Sequence, residues 1–114
     1  MTDYSKMSDF EINCLVAEMI GHRPLDAELG YAGLQEKGDI TAAIVRGKNR
    51  IGAFSPCDNP ADAWPIIAGN EISINYWRSG VLEADRYGVH TVKDKNPLRA
   101  AMTVFLMMKD AEKC

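Results

Sequence analysis

Three cysteines, two histidines and an absence of long apolar runs mark this 114-residue chain. Cys14, Cys57 and Cys114 are odd in number and widely spaced, no CxxC occurs, and His22 and His90 are isolated. That pattern argues against a disulfide framework and a closed structural zinc site, and free thiols suit a reducing cytoplasm. No stretch approaches the roughly 20 apolar residues of a membrane span. The opening Met1-Thr2-Asp3-Tyr4-Ser5-Lys6 is polar and lacks the apolar core of a signal peptide. A cytoplasmic protein without a membrane association is expected. The net charge of −3 denies the chain a global basic field for nucleic acid or anionic lipid. There is no GxxxxGK[ST], GxGxxG, GxSxG or HExxH, so the sequence implies no cofactor and no metal.

What is present is the composition of an ordinary globular protein, 46% apolar and 25% charged. At this length one domain covering residues 1–114 is expected, with a core that needs no staples. Ser8 and Glu11 have capping-box spacing, and Ile12, Leu15, Val16, Met19 and Ile20 recur at helical spacing behind them. This predicts a helix from Asp9 to Ile20, stopped by Gly21, with Phe10, Cys14 and Ala17 on its partly covered other side. From His22 to Asp39 the chain has no clean period. A turn of helix at Pro24-Leu25-Asp26-Ala27-Glu28 and an otherwise irregular, mobile surface loop are expected.

Ile40–Val45 and Arg50–Phe54 read as two strands joined at Gly47-Lys48-Asn49, although their alanines weaken strand preference. Asn59 and Pro60 then open a helix as N-cap and first residue, which Pro65 limits to about two turns. Glu71–Trp77 alternates, with Ile72, Ile74 and Tyr76 on one face and Ser73, Asn75 and Trp77 on the other. Ser79-Gly80 turns the chain, and Tyr87, Val89 and Thr91 suggest a further strand ending near Val92. A last helix begins at Asn96-Pro97 and runs to Glu112. Its polar side is narrow (Arg99, Thr103, Asp110), so it needs cover over most of its circumference, as the centre of a core or at a subunit interface. The expected fold class is α+β: two layers, a small antiparallel β-sheet packed by an N-terminal and a C-terminal helix.

Three blocks carry a family resemblance. They are Leu15-Val16-Ala17; Ser55-Pro56 with Trp64-Pro65-Ile66-Ile67 and Ile72-Ser73; and Asn96-Pro97-Leu98-Arg99-Ala100-Ala101-Met102. Together they resemble the phage NinX family, small proteins of lambdoid bacteriophages and prophages. In the family pattern Ser-Pro-x-x-Asp-Trp leads to Pro-Ile-Ile; here Asn59-Pro60-Ala61-Asp62-Ala63 precedes Trp64. The resemblance implies a phage-encoded accessory protein in a bacterial cytoplasm. It transfers no catalytic residue, because the family carries no assigned activity.

Four groups of residues could carry chemistry. Cys57 lies just before the Asn59-capped helix, where a helix N-terminus can activate a thiol. It lacks a positioned base, and an unreactive apolar filler is the favoured reading. Asp58, Asp62, Glu83 and Asp85 could gather into a metal or acid–base site, but carboxylates near a helix N-terminus are favoured by the helix dipole alone. Trp77 shares a strand face with Ser73 and Asn75 and could anchor a protein partner or stack a base, whereas core packing is favoured for Trp64. Lys93, Lys95 and Arg99 cluster at the start of the last helix, where free N–H groups favour anions. A helix–strands–helix order with these bases is similar in topology to double-stranded RNA-binding domains, but Asp94 interrupts the cluster.

The favoured expectation is a non-enzymatic interaction module binding a host or phage protein, with self-association through the last helix and the Trp77 face left open. A nucleic-acid-associated module using Lys93, Lys95 and Arg99 is the alternative. A small hydrolase or transferase using Cys57 or the acidic residues is the third.

Overall fold

The computed structural model describes residues 3–24, 28, 30–36, 39–46, 51–76 and 82–112. The fold is α+β, with helices near both ends and the strands divided between two small antiparallel sheets rather than one. The chain separates into two compact units, residues 3–55 and 56–114.

The first unit begins with helix α1, Asp9–Met19. The Ser8 hydroxyl accepts from the Glu11 N–H at 3.1 Å while the Glu11 carboxylate accepts from the Ser8 N–H at 3.2 Å, the reciprocal box that the spacing predicts. At the other end His22 N–H donates to the Ala17 carbonyl and Gly21 N–H to that of Glu18, a Schellman close with Gly21 at φ +86°. The buried stripe is Ile12, Asn13, Val16 and Ala17, while Ile20 is exposed. The stripe is therefore rotated from the expected Ile12–Leu15–Met19 line. Asn13 explains the rotation: its amide donates to the Ser55 hydroxyl at 3.2 Å, so a polar side chain is satisfied inside the core.

α1 packs on β3, Asp39–Arg46, the strand to which all others of this sheet pair. These are β1 (Arg23–Pro24), β2 (Ala32–Glu36) and β4 (Ile51–Phe54). Ala42 and Ala43 of β3 are wholly buried, small side chains in a strand that carries a helix. The expected loop from His22 to Asp39 is corrected here, because β1 and β2 fall inside it. Pairing to β3 overrides the irregular local pattern, with a register shift between Leu34 and Gln35. The expected helical turn over 24–28 and the Gly47–Asn49 corner lie largely or wholly outside the described residues, although Pro24 itself belongs to β1.

The second unit runs α2 (Pro60–Gly69), β5 (Ser73–Tyr76), β6 (Leu82–Arg86), β7 (His90–Lys93) and α3 (Pro97–Glu112). β6 lies between β5 and β7, and α3 packs on all three strands and on α2. Register sets Ile74 opposite Ala84 and Ala84 opposite Val92. Ala84 is wholly buried, so by alternation this row faces inward, while Ser73, Asn75, Glu83, Asp85, Thr91 and Lys93 share the other face. Ala100 to Leu106 are buried without a break, which spans the full turn of α3 and makes it the core of this unit.

Two expectations are corrected in this unit. α2 continues through Pro65 to Gly69, ten residues in all. Pro65 removes one N–H bond, to the Ala61 carbonyl, and both residues are exposed, so water replaces the missing donor. Tyr87, expected within a strand, instead forms a hairpin corner between β6 and β7. The Ser79-Gly80 turn lies outside the described residues.

Candidate functional site

Both Asn-Pro pairs act as helix starts. The Asn59 side chain accepts from the Ala61 N–H at 2.9 Å, and that of Asn96 accepts from Leu98 and Arg99 at 2.9 and 3.2 Å. Asn96 does more than Asn59. Its amide donates to the Cys57 carbonyl at 2.7 Å, pinning the loop before α2 to the start of α3. The same loop hides Cys57, which is 0% exposed. In this arrangement the thiol has no solvent access, which accords with the filler reading of Cys57. Cys14 is poorly disposed to react as well: burial and the nearby Glu11 carboxylate push its pKa up to about 11.

The basic cluster does not form an open anion site. Arg99 Nε bonds Asp94 Oδ2 at 3.1 Å, and Asp94 Oδ1 accepts from the Asn96 N–H at 3.0 Å. Together Asp94 and Asn96 occupy the donors and the charge that a phosphate would use. Lys93 and Lys95 are exposed, with Lys93 on the open sheet face directly opposite Glu83. Residues 56–114 carry seven basic against eight acidic side chains, so the unit has no basic footprint.

The carboxylates stay apart in function. Asp85 accepts from Gly88 N–H at 3.1 Å, a bond that closes the β6–β7 corner, and from the Asn75 amide of β5 at 3.4 Å. Among the described residues no three His, Cys, Asp or Glu side chains gather to hold a metal ion. No helix there is long and apolar enough to cross a membrane.

The expectation for Trp64 is overturned: it is 64% exposed, on the outer side of α2 with Ala61, Pro65 and Ala68, while Ala63, Ile66 and Ile67 are buried. The core of α2 is satisfied by its isoleucines, which leaves the tryptophan without an inward position. Trp77 lies outside the described residues. Three further large exposed side chains belong to the same unit and were not singled out by sequence reasoning: Tyr76 at 74%, Tyr87 at 65% and Val89 at 74%.

Tyr87 has an unusual setting. It and Gly88 have φ of +53° and +73°, and Val89 N–H donates to the Arg86 carbonyl at 3.0 Å, the pattern of a type I′ corner. Such corners favour Asn or Gly at both central positions, and here a tyrosine holds the first. Its hydroxyl donates to the Glu71 carboxylate, a bond that raises its pKa above the ordinary tyrosine value. The Arg86 guanidinium lies 4.6 Å from its ring centroid, and Arg86 Nε donates to the Asn70 carbonyl at 2.8 Å.

Glu71 is itself left-handed at φ +55°. It is the residue after the α2 C-cap, with its N–H on Ala68 and that of Ile72 on Ile67, a second Schellman close with glutamate where glycine is usual. Glu71 and Tyr87 are the only described non-glycine residues at positive φ, and they bind one another. Beside them an open groove of 260 Å³ is lined by Arg86, Tyr87, Val89 and His90 from the hairpin. Met108, Ala111 and Glu112 from the end of α3 form its other wall.

Residues 3–109 match the family model described as bacteriophage P22 NinX. The chain belongs to the phage NinX family. No curated protein and no solved structure shows significant similarity to it. The NinX match takes in α1, both sheets and most of α3, and so covers the Asn-Pro starts and the Glu71–Tyr87 latch alike. The only sequence signal for this latch is the Tyr87-Gly88 dipeptide, weak because tyrosine is a poor resident of a type I′ corner.

Proposed function

We propose that this NinX-family protein is a non-enzymatic interaction module whose partner is a host or phage protein in the bacterial cytoplasm. The observation that carries the reading is the exposure of Trp64, Tyr76, Tyr87 and Val89 within one small unit. Tyrosine and tryptophan dominate binding energy at protein interfaces, because they bury much area for few ordered torsions. Supporting it, the one thiol beside a helix N-terminus is buried, and the acidic residues close turns and caps rather than converging on a cleft.

The test is photo-crosslinking in phage-carrying cells, with a benzophenone amino acid at position 64 or 89 and at exposed Lys6 as control. Discrete nuclease-resistant protein adducts from 64 or 89, absent from the control, are expected. Adducts no different from the control overturn the reading. Adducts that vanish with nuclease transfer it to nucleic acid, for which the helix–three-strand–helix order of residues 60–112 is the favouring feature. An adduct to a second copy of the chain identifies self-association as the interaction.

A further inference from the structure

The aromatic at the hairpin corner is held before any partner arrives. Its backbone is locked in the left-handed turn, its hydroxyl is fixed by Glu71, and its ring is covered by the Arg86 guanidinium. An exposed side chain that is already ordered loses little entropy on binding. Two residues in conformations that side chains disfavour, arranged to hold each other, are a cost that the hairpin alone does not require. A glycine at each position would turn the chain as well.

The charges around this corner are uneven. Glu71 is engaged by Tyr87, and Glu112 pairs with Lys109 of the same helix at 3.3 Å. Arg86 has no carboxylate among the described residues: its Nε meets a backbone carbonyl and its plane meets a ring. His90, the first residue of β7, lines the same groove. Val89 stands exposed between them, and Met108 lies beneath, itself buried. Among the described residues β7 is an edge strand of its sheet, paired with β6. An edge strand offers backbone donors and acceptors that a small anion cannot use and an extended peptide can.

We infer that the β6–β7 hairpin and the end of α3 receive an extended acidic segment of a protein partner, which places an aliphatic side chain against Val89 and Tyr87 and a carboxylate on Arg86. Charge complementarity selects this occupant: a guanidinium that meets no carboxylate among the described residues, beside an apolar contact and the outer edge of β7. The inference rests on the interaction reading above and names the chemistry of the partner.

The experiment uses the full chain, immobilised through its N-terminus and panned against random displayed peptides. The strongest peptide is then synthesised and its affinity measured by fluorescence anisotropy. Enriched peptides are expected to carry Asp or Glu close to Leu, Ile or Val. Binding is expected to fall by about tenfold or more on Val89→Asp, on Arg86→Gln, and on replacing the peptide's acid by its amide. Lys6→Ala, at an exposed position outside that surface, is expected to leave it unchanged. Val89 is exposed, so Val89→Asp tests the site even if Arg86→Gln disturbs the fold, and far-UV circular dichroism verifies both. Enriched peptides without an acid, no enriched peptide, or affinities indifferent to Val89→Asp overturn the inference. Crosslinked protein partners from position 89 in cells, together with peptides indifferent to Arg86, leave the interaction reading standing and remove only this one.

Discussion

Replacing Asn96 tests how the second half of the chain is held together. Asn96→Ala removes two interactions of different kinds. The first is the helix cap, the side-chain oxygen that accepts from Leu98 and Arg99 at 2.9 and 3.2 Å. Loss of such a cap costs about 1 kcal/mol. The second is the amide donor on the Cys57 carbonyl at 2.7 Å, in a part-buried setting. Leaving a carbonyl there without its donor costs about 1–2 kcal/mol more. Asn96→Ala is therefore expected to destabilise the protein by about 2–3 kcal/mol, measured by urea unfolding followed by circular dichroism. Asn96→Ser separates the terms, since serine caps well but is too short to reach the Cys57 carbonyl. It should lose about 1–2 kcal/mol, the second term alone. Asn59→Ala supplies the reference, a helix start whose only side-chain bond of this kind is the 2.9 Å cap on Ala61, and should lose about 1 kcal/mol. If Asn96→Ala costs no more than Asn59→Ala, the tie from α3 to the Cys57 loop contributes nothing and the reasoning fails.

Four other outcomes follow from the same geometry. Glu71→Gly should be more stable than Glu71→Ala by about 1 kcal/mol, because both lose the Tyr87 bond but only glycine is relaxed at φ +55°; equal unfolding midpoints would refute the left-handed assignment. Trp64→Ala should shift stability by less than about 0.5 kcal/mol, as expected of an exposed side chain, while removing crosslinkable partners from the α2 face; a loss of several kcal/mol in urea would return Trp64 to the core. In native protein treated with iodoacetamide and mapped by mass spectrometry, Cys57 should stay unmodified, and its rapid labelling would contradict its burial. Cys14 should react faster with rising pH, without levelling off until about 11. A raised thiol pKa means the protonated, unreactive form persists up to that value, so a plateau near pH 9 would refute the shift.

How much of this was legible depends on where each decision is made along the chain. Helix ends are local, and Ser8 with Glu11, Gly21, Asn59-Pro60 and Asn96-Pro97 could be read directly from residue type and spacing. The face of β5 was legible only in part: Ile72 is buried and Ser73 exposed as the alternation predicts, but Ile74 and Asn75 are both half-buried, and Tyr76, expected with the isoleucines, is 74% exposed at the strand's end. β1 and β2 were not, because Arg23-Pro24 and Ala32–Glu36 become strands only through their pairing with β3, some of it across more than twenty residues. α2 misled for a different reason. Apolar residues on both sides of a helix say that one side is core without saying which, so Trp64 was placed inward on the strength of its size. The alternation that reads a strand cannot see a corner, and Tyr87 passed for a strand residue because tyrosine is a good strand former in the wrong backbone region.

The residues that sequence reasoning placed wrongly are also those with the most to say about function. Local preference, packing and polar satisfaction agree along α1 and α3, where Asn13 is paired with Ser55 and Thr103 with the Arg99 carbonyl. They disagree at Trp64, a large apolar side chain left outside, and at Glu71 and Tyr87, two side chains in a backbone region that favours glycine. A residue in a sparsely populated backbone region persists where the surrounding structure over-determines it, as Glu71 and Tyr87 do for one another. The conflict lies at the surface, in exposed residues of the second unit. The proposed interaction role is therefore tested at the faces around Trp64 and Tyr87 before Cys57.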